Sequence, residues 1–426
     1  MGRGPPEHPD PPDCLRSGSA PAGPRTPSAG AHSRSRPRMR DGARLAGVQT
    51  SLLPHVAAAN DLTGRWCAVA GTDDFVLSGC GAWPLLGVLA TAANEPVRSE
   101  LAAAVGLSAD DAQSAALRLL SELADAETVA GALGVWVRDD VELHEQWARS
   151  LPDGVVEKLT GQAALDAWAD RHTAGLIERL PLSVTGDTLL VLATAVVART
   201  AWLQPFHDDV LEPSDGPWRG HRGRGLSRDS QHLRDAAILS GAAPVTRVVV
   251  RGTGDLDVHL LLGDGTPGEV LGTGFGALDG SVEAHTDLPI GTEAPGLAVR
   301  KTRAVADTLR IQLPPFEIRS SHDLLAHPDL FGLRTATDGT RDRFPAISTT
   351  PLRVDSAAQD ALARFTRDGF EAAAVTAIAL TRAAAAFRPR PAVEISATFD
   401  RPFGFLAVHR PTGLVIVAGW VARPPG

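Results

Sequence analysis

The stretch Arg367-Asp368-Gly369-Phe370-Glu371-Ala372-Ala373-Ala374-Val375-Thr376-Ala377-Ile378-Ala379-Leu380 decides how this chain is read. At a period of two, Phe370, Ala372, Ala374, Thr376, Ile378 and Leu380 share one wholly uncharged face, and Glu371, Ala373, Val375, Ala377, Ala379 and Thr381 share the other. That is the pattern of a strand able to bury one side. The continuation, Arg382-Ala383-Ala384-Ala385-Ala386-Phe387-Arg388-Pro389-Arg390-Pro391, reads as an exposed tether that cannot extend a sheet, because its prolines lack ladder donors and its arginines resist burial. A loop with the makings of a strand therefore ends in a solvated connection.

Beyond the tether, Ala397-Thr398-Phe399-Asp400-Arg401-Pro402-Phe403-Gly404-Phe405-Leu406 and Arg410-Pro411-Thr412-Gly413-Leu414-Val415-Ile416-Val417-Ala418-Gly419 place two apolar strands around a short Pro/Gly turn, a hairpin signal. Together with Gly369 to Ala374, this resembles the C-terminal signature of the serpins, protease inhibitors with a mobile reactive loop. Three upstream segments extend the resemblance. Leu189 to Phe206, ending Thr200-Ala201-Trp202-Leu203-Gln204-Pro205-Phe206, is similar to the family's central strand and tryptophan-bearing turn. Leu309 to Ile318, followed by Ser320 to Leu325, is similar to its strand before a short helix, and Phe75-Val76-Leu77-Ser78 leading into Leu85 to Leu107 resembles its first long helices.

The resemblance implies an α+β fold of serpin type, with helices packed around a large mixed main sheet, further antiparallel sheets and an exposed reactive-centre loop at 367–391. It favours a single domain at 46–426, which follows a Pro/Arg/Ser-rich tail read from composition at 1–45. It also implies a suicide substrate rather than an enzyme. A serine protease, or a cysteine protease, cuts the loop and forms an acyl-enzyme, and the hinge residues Gly369, Phe370, Glu371, Ala372, Ala373 and Ala374 lead a new strand into the main sheet. Counting by the family pattern places the reactive bond near Ala383-Ala384, with Arg382-Ala383 one residue away. Alanine there suits elastase-like or subtilisin-like pockets, and Arg382 suits a trypsin-like pocket that presents a carboxylate. Arg388 and Arg390 are further bait candidates, or else they solubilise the loop.

Four departures from the family pattern keep a second reading open, that of a noninhibitory serpin acting as a protease substrate, carrier or binding protein. Phe370 stands where inhibitory members carry Thr or Ser, and its bulk is expected to slow the first step of insertion. In the region where the sheet opens, Ser78-Gly79-Cys80-Gly81 replaces Ser-Pro-x-Ser, Thr194 replaces Asn and Gln359 replaces His. Polar networks in such a place control opening.

Composition fits one large domain: 426 residues, 43% hydrophobic, with ample material for a core. A formal net charge of -9 argues against nucleic acid as the main partner, and no run reaches the ~18 apolar residues needed to span a membrane. A monomer that meets a protease is expected, with no cofactor and no metal. Cys14, Cys67 and Cys80 are too few and too unevenly spaced for a disulfide framework or a zinc site, and Cys80 reads as a small core residue. Met1 to Arg44, rich in Pro, Gly, Ser and Arg, reads as a disordered tail without the apolar core of a secretory signal. The literal reading is cytoplasmic; the family alternative is extracellular.

Helices are expected early and strands late, the order of an α+β fold. Ser108 caps a helix carrying Leu117, Leu120 and Leu123, and a second helix is expected from Gln162 to Leu180, stopped by Pro181, with His172 packed or half exposed on it. Val248–Arg251, Leu256–Leu260 and Leu309–Leu313 alternate as strands. Gly272-Thr273-Gly274-Phe275-Gly276-Ala277 only partly matches a dinucleotide loop and reads as a flexible connector. No HExxH pair and no GxSxG elbow is present, although dispersed Ser, His and Asp residues can still meet in space.

Overall fold

The computed structural model describes Met1 and residues 52–370 and 390–425, and every element below belongs to the unit Gln49–Gly426. The expected tail beyond Met1, Cys14 among it, lies outside the described residues. In chain order, α1 (Pro54–Val69) leads to β1 (Phe75–Leu77), α2 (Gly79–Ala92), α3 (Val97–Val105) and α4 (Ala109–Ala124). Then come β2 (Val129–Val137), α5 (Glu145–Ala148), β3 (Val156–Lys158), α6 (Gln162–His172), β4 (Leu190–Ala198), β5 (Thr200–Ala201), β6 (His207–Leu211) and β7 (Gly223–Ser230). The middle supplies β8 (Ala236–Ser240), β9 (Pro244–Arg251), β10 (Leu256–Leu262), α7 (Pro267–Asp279), β11 (Ala284–His285), β12 (Glu293–Ala294), β13 (Leu297–Ala304) and β14 (Thr308–Leu313). β15 (Phe316–Asp323), β16 (Ala358–Phe365), β17 (Gly369–Phe370), β18 (Arg390–Thr398), β19 (Phe403–His409) and β20 (Leu414–Val421) complete the fold.

A seven-stranded antiparallel sheet, in the order β1-β20-β19-β10-β9-β8-β11, forms the centre of the core. Val248, Val258 and Leu260 on one face and Leu406 on the other are fully buried, which is why these strands read as apolar runs. The expected hairpin is present, with β19 and β20 paired from Phe403↔Val421 to His409↔Leu414. A six-stranded sheet, β12-β13-β18-β14-β7-β6, contains one parallel pair, β14 with β18, so it is not wholly antiparallel as expected. The main sheet is in two pieces, β15-β16-β17-β5 and β3-β2-β4, with β2 and β3 parallel. Helix α2 lies against one face, where the Thr194 hydroxyl donates to the Gly81 carbonyl at 2.5 Å. Against the other face, α6 sets Leu165 and Trp168 upon Trp136, Val191, Ala193 and Ala195.

Ser108 caps α4 as expected, accepting from the Asp111 amide, and Leu119, Leu120 and Leu123 are buried beneath it. Three local expectations need correction. The helix begun at Gln162 ends at His172, not Leu180. The Thr173 hydroxyl donates to the Ala169 carbonyl and accepts from the Ile177 amide, and Ala174 and Gly175 take positive φ of 50° and 81°, which turns the chain aside before Pro181 is reached. The 272–277 glycines sit inside α7 rather than in a connector. Thr266 and Glu269 form a reciprocal capping box with Pro267 in the first turn, which nucleates the helix. The glycines then allow close packing, since a Cβ on Gly274 would lie 2.3 Å from Leu261. Finally, the tether does join a sheet: β18 starts at Arg390, and Pro391 stands opposite Arg303. Proline is tolerated there because β14 flanks β18 only from Glu394 onward, so position 391 has a neighbour on one side only.

Replacement of the α7 cap, Thr266→Ala, is expected to lower stability by about 1 kcal/mol in denaturant unfolding. An unchanged midpoint would contradict the capping box.

Candidate functional site

The residues that open the sequence argument sit at the junction of the two halves of the main sheet. β16 turns at Thr366–Asp368 and returns as β17, with Phe370 opposite Phe365 on one side and opposite Thr200 of β5 on the other. Backbone and indole groups hold the turn. The Trp202 amide donates to the Asp368 carbonyl, the Phe206 amide to the Arg367 carbonyl and the Trp202 ring nitrogen to the Thr366 carbonyl, each at 2.9 Å. Gly369 is required by the close approach of β5, since a Cβ there would lie 2.4 Å from the Thr200 carbonyl oxygen.

Phe370 is 1% exposed and packs on a group of aromatic rings. Phe405 lies 6.2 Å from it, Phe316 lies 5.0 Å from Phe405 and 5.4 Å from Phe365, and Trp202 lies 4.6 Å from Phe365. Each such pair contributes about 0.5–1.5 kcal/mol beyond its buried area. Beside this group the buried Arg228 guanidinium stands 4.5 Å over the Phe206 ring and donates to the Gln204 carbonyl. Burial pulls its pKa down to about 10, so it remains charged at neutral pH.

Below the hinge, β4 and β16 share no ladder among the described residues. Between them lies a slot. Its upper part is a cavity of about 120 Å³ touched by Ser78, Gly81, Thr194, Gln359 and Phe370. Its lower part is a larger one of about 340 Å³ lined by Leu86, Leu89, Leu190, Leu192, Phe344 and Val354. Asp360 Oδ1 is buried at the edge of this slot with no hydrogen-bond partner among the described residues.

The two strands are joined through α2 instead of through each other. The Gln359 carboxamide accepts from the Ser78 amide at 2.9 Å and donates to the Ser78 carbonyl at 2.8 Å, clamping β16 to the start of α2. The Ser78 hydroxyl donates to the Ile416 carbonyl at 2.7 Å and caps α2 by accepting from Gly81. From the far side, Thr194 of β4 reaches the carbonyl of that same Gly81. One helical turn thus holds both lips of the slot. Cys80 next to it is fully buried, and burial pushes its thiol up to about 12, so it is inert at neutral pH.

The structure therefore gathers Ser78, Thr194 and Gln359 in one network and seats Gly369 and Phe370 at the top of the slot. Glu371, Ala372, Ala373, Ala374, Arg382, Ala383 and Ala384 lie outside the described residues. The loop boundaries expected at 367–391 draw in: residues 367–370 belong to the turn and β17, and residues 390–391 to β18. Sequence reasoning placed Gly81 in this region without its carbonyl role, and missed the Ile416 carbonyl and Asp360. Carbonyl roles carry no side-chain signature, and an aspartate inside an alternating strand is ordinarily read as solvent-facing.

Comparison with known proteins follows this geometry. A family model described as Serpin (serine protease inhibitor) matches residues 57–215 and 296–424. Plasminogen activator inhibitor 2 of Homo sapiens is 23% identical over 269 residues, covering 61% of this chain and 60% of the relative. The chain thus spans less than two thirds of that relative's length. The structure of native protease nexin-1 with heparin superimposes with a TM-score of 0.63 at 18% identity, over 87% of this chain and 98% of that one. Thyroxine-binding globulin in complex with thyroxine gives 0.61 at 14% identity, over 87% and 99%. At such identities the structures establish the fold.

Removing the clamp by Gln359→Ala leaves the Ser78 amide without its partner, while the Ser78 carbonyl keeps the α2 amides of Gly81 and Ala82, and a loss of about 1–3 kcal/mol is expected in thermal unfolding. Gln359→Glu, which keeps an acceptor and loses the donor, is expected to fall between. Equal stability of all three proteins would contradict the clamp.

Proposed function

This chain belongs to the serpin family, and on that premise we propose that it inhibits a serine protease as a suicide substrate. The observation that carries the reading is the open slot with its first strand pair already in register. Gly369 faces Ala201 and Phe370 faces Thr200. Continued downward, the same register sets Ala372 opposite Ala198, Ala374 opposite Val196, Thr376 opposite Thr194, Ile378 opposite Leu192 and Leu380 opposite Leu190. The apolar, period-two stretch thus ends where β4 begins. On the other lip, the Phe365–Phe370 pair continues to Ala363 with Ala372, Ala361 with Ala374 and Gln359 with Thr376. Directly opposed residues point to the same face of a sheet, so the uncharged side of the incoming strand turns toward α2 and Glu371 turns away. Phe370, whose bulk was expected to delay entry, is already seated in its aromatic pocket, and the next inward residues are the small Ala372 and Ala374.

The mechanism follows. A protease serine attacks the carbonyl carbon of the reactive bond, the amine leaves with a proton from the catalytic histidine, and the new N-terminal stretch remains on the enzyme as an ester. The cut releases the constraint at residue 371. Each further residue that enters the slot gains ladder hydrogen bonds on two sides, and burial of Ile378 and Leu380 contributes about 1.5–3 kcal/mol each before ordering costs. A strand of about twelve residues spans roughly 40 Å, which carries the acylated protease along the sheet and distorts the site that would hydrolyse the ester. Within the loop, Arg388 and Arg390 each precede proline, whose nitrogen carries no hydrogen, and Arg390 is already a β18 residue. The reading therefore rests on Arg382-Ala383 or Ala383-Ala384 as the bond.

Incubation with elastase-, subtilisin- and trypsin-like proteases, read by denaturing gel and mass spectrometry, tests this. A denaturant-resistant complex linked through a residue between Thr381 and Ala384 is expected. Clean cleavage with the protease left active would assign the chain to the noninhibitory members.

The register makes a sharper prediction. Ala374→Arg would bury a guanidinium against Val196 and Ala361, a cost of several kcal/mol, and is expected to leave cleavage intact while abolishing complex. Ala373→Arg faces the opposite side and is expected to retain complex formation. Equal behaviour of the two variants would contradict the register.

A further inference from the structure

Where β13 and β18 extend past β14 they form a two-stranded ribbon, paired from Lys301↔Val393 to Ala304↔Arg390, with the Arg300↔Glu394 pair at its root beside Thr308 of β14. Arg300, Lys301, Arg303 and Arg390 are all exposed on it, and none of the four side chains has an ion pair or hydrogen bond among the described residues. Elsewhere exposed arginines are commonly paired, as Arg149 is with Glu145 and Arg334 with Asp329. The acids of the ribbon are committed: Glu394 faces Arg310 at 3.8 Å, and Asp307 accepts from the Val393 amide. Lys301 and Arg303 lie on one face, Arg300 and Arg390 on the other, and Val305, 53% exposed, stands just beyond the strand end. On a chain of formal charge -9 this is a local concentration of free positive charge.

Its place in the chain gives it a partner. Arg390 is the first described residue after 371–389, the segment read above as protease bait. A candidate bond at residues 382–384 is six to eight residues away, at most about 26 Å of extended chain. A standard protein interface covers about 800 Å² on each partner, a patch roughly 30 Å across, so a protease engaged on the loop reaches the ribbon. Arg390 lies in a ladder and precedes proline, which removes it as bait and leaves its charge facing that protease. We infer that the β13/β18 ribbon is a secondary docking surface for an acidic face beside the active site of the target protease, selecting among proteases that share the same primary specificity. This rests on the loop being the segment attacked, and it adds the charge of the partner.

Anionic and cationic trypsin, which cut after the same residues and differ in surface charge, provide the test. The rate of loop attack, counted as complex plus cleaved product, is measured for the wild type, for R300E/K301E/R303E and for the neutral pair K301Q/R303Q. At low salt the charge reversal is expected to slow anionic trypsin at least about tenfold, and the neutral pair to slow it less, with no loss against cationic trypsin. At about 0.5 M NaCl the difference is expected to vanish. Equal rates for all three proteins with anionic trypsin, or equal slowing with both trypsins, would overturn the inference. So would an effect seen only when a sulfated polyanion is added, which would assign the ribbon to that ligand. If the triple variant does not fold, the neutral pair decides. Cleavage without complex would count against inhibition, yet the attack rates would still be compared, so the two readings fail separately.

Discussion

The rest of the structure depends on one missing ladder. β4 and β16 run side by side in the main sheet without hydrogen bonds to one another among the described residues, and each presents an edge to the other. Natural sheets cover or interrupt such edges, because an unpaired edge accepts any extended segment of suitable pattern. Here the edges face inward across a slot as long as β4, and the neighbouring chain segment carries a matching pattern. The slot is kept apart by α2. Gln359 binds both backbone groups of Ser78, and Thr194 binds Gly81 one turn on, so each lip is fixed to the helix below. These bonds lie beneath the sheet and leave the edge positions of β4 and β16 available.

In the proposed mechanism the aromatic group at the top sets where insertion begins. Phe316, Phe365, Phe370 and Phe405 fix β17 between β16 and β5, and Trp202 fixes the turn before it. On that proposal the incoming strand has no freedom of register, since a slip by one residue would turn Glu371 inward and Phe370 outward. Gly369 allows the close contact, and the alanines that follow ask little of the cavity. In the proposed inhibitor, function resides in a free-energy difference between two arrangements of one sheet.

Much of this was legible in sequence because it depended on local pattern. The hairpin at 403–421, the cap at Ser108 and the strands at 248, 256 and 309 all follow from neighbours close in the chain. The resemblance supplied Ser78, Thr194 and Gln359 as a group, but not how they bond, since Ser78 and Gln359 are 281 residues apart. Tertiary override accounts for the misses. The 272–277 glycines looked like a connector because their packing against Leu261 and Val282 is invisible locally, whereas the capping box at Thr266 was a signal open to reading. Apolar spacing alone extended the 162–172 helix too far, and Thr173 with the positive φ at Ala174 ended it. The division of the main sheet has no local signature, because each half is an ordinary set of strands.

The most direct test of the central claim is thermal unfolding of the chain before and after a single cut in the 371–389 segment. If that segment completes the sheet between β4 and β16, the cut protein gains a ten-residue strand paired on both sides, and its midpoint should rise by about 10 °C or more. A midpoint unchanged or lowered by the cut would mean that the slot does not accept the strand, and would contradict the account.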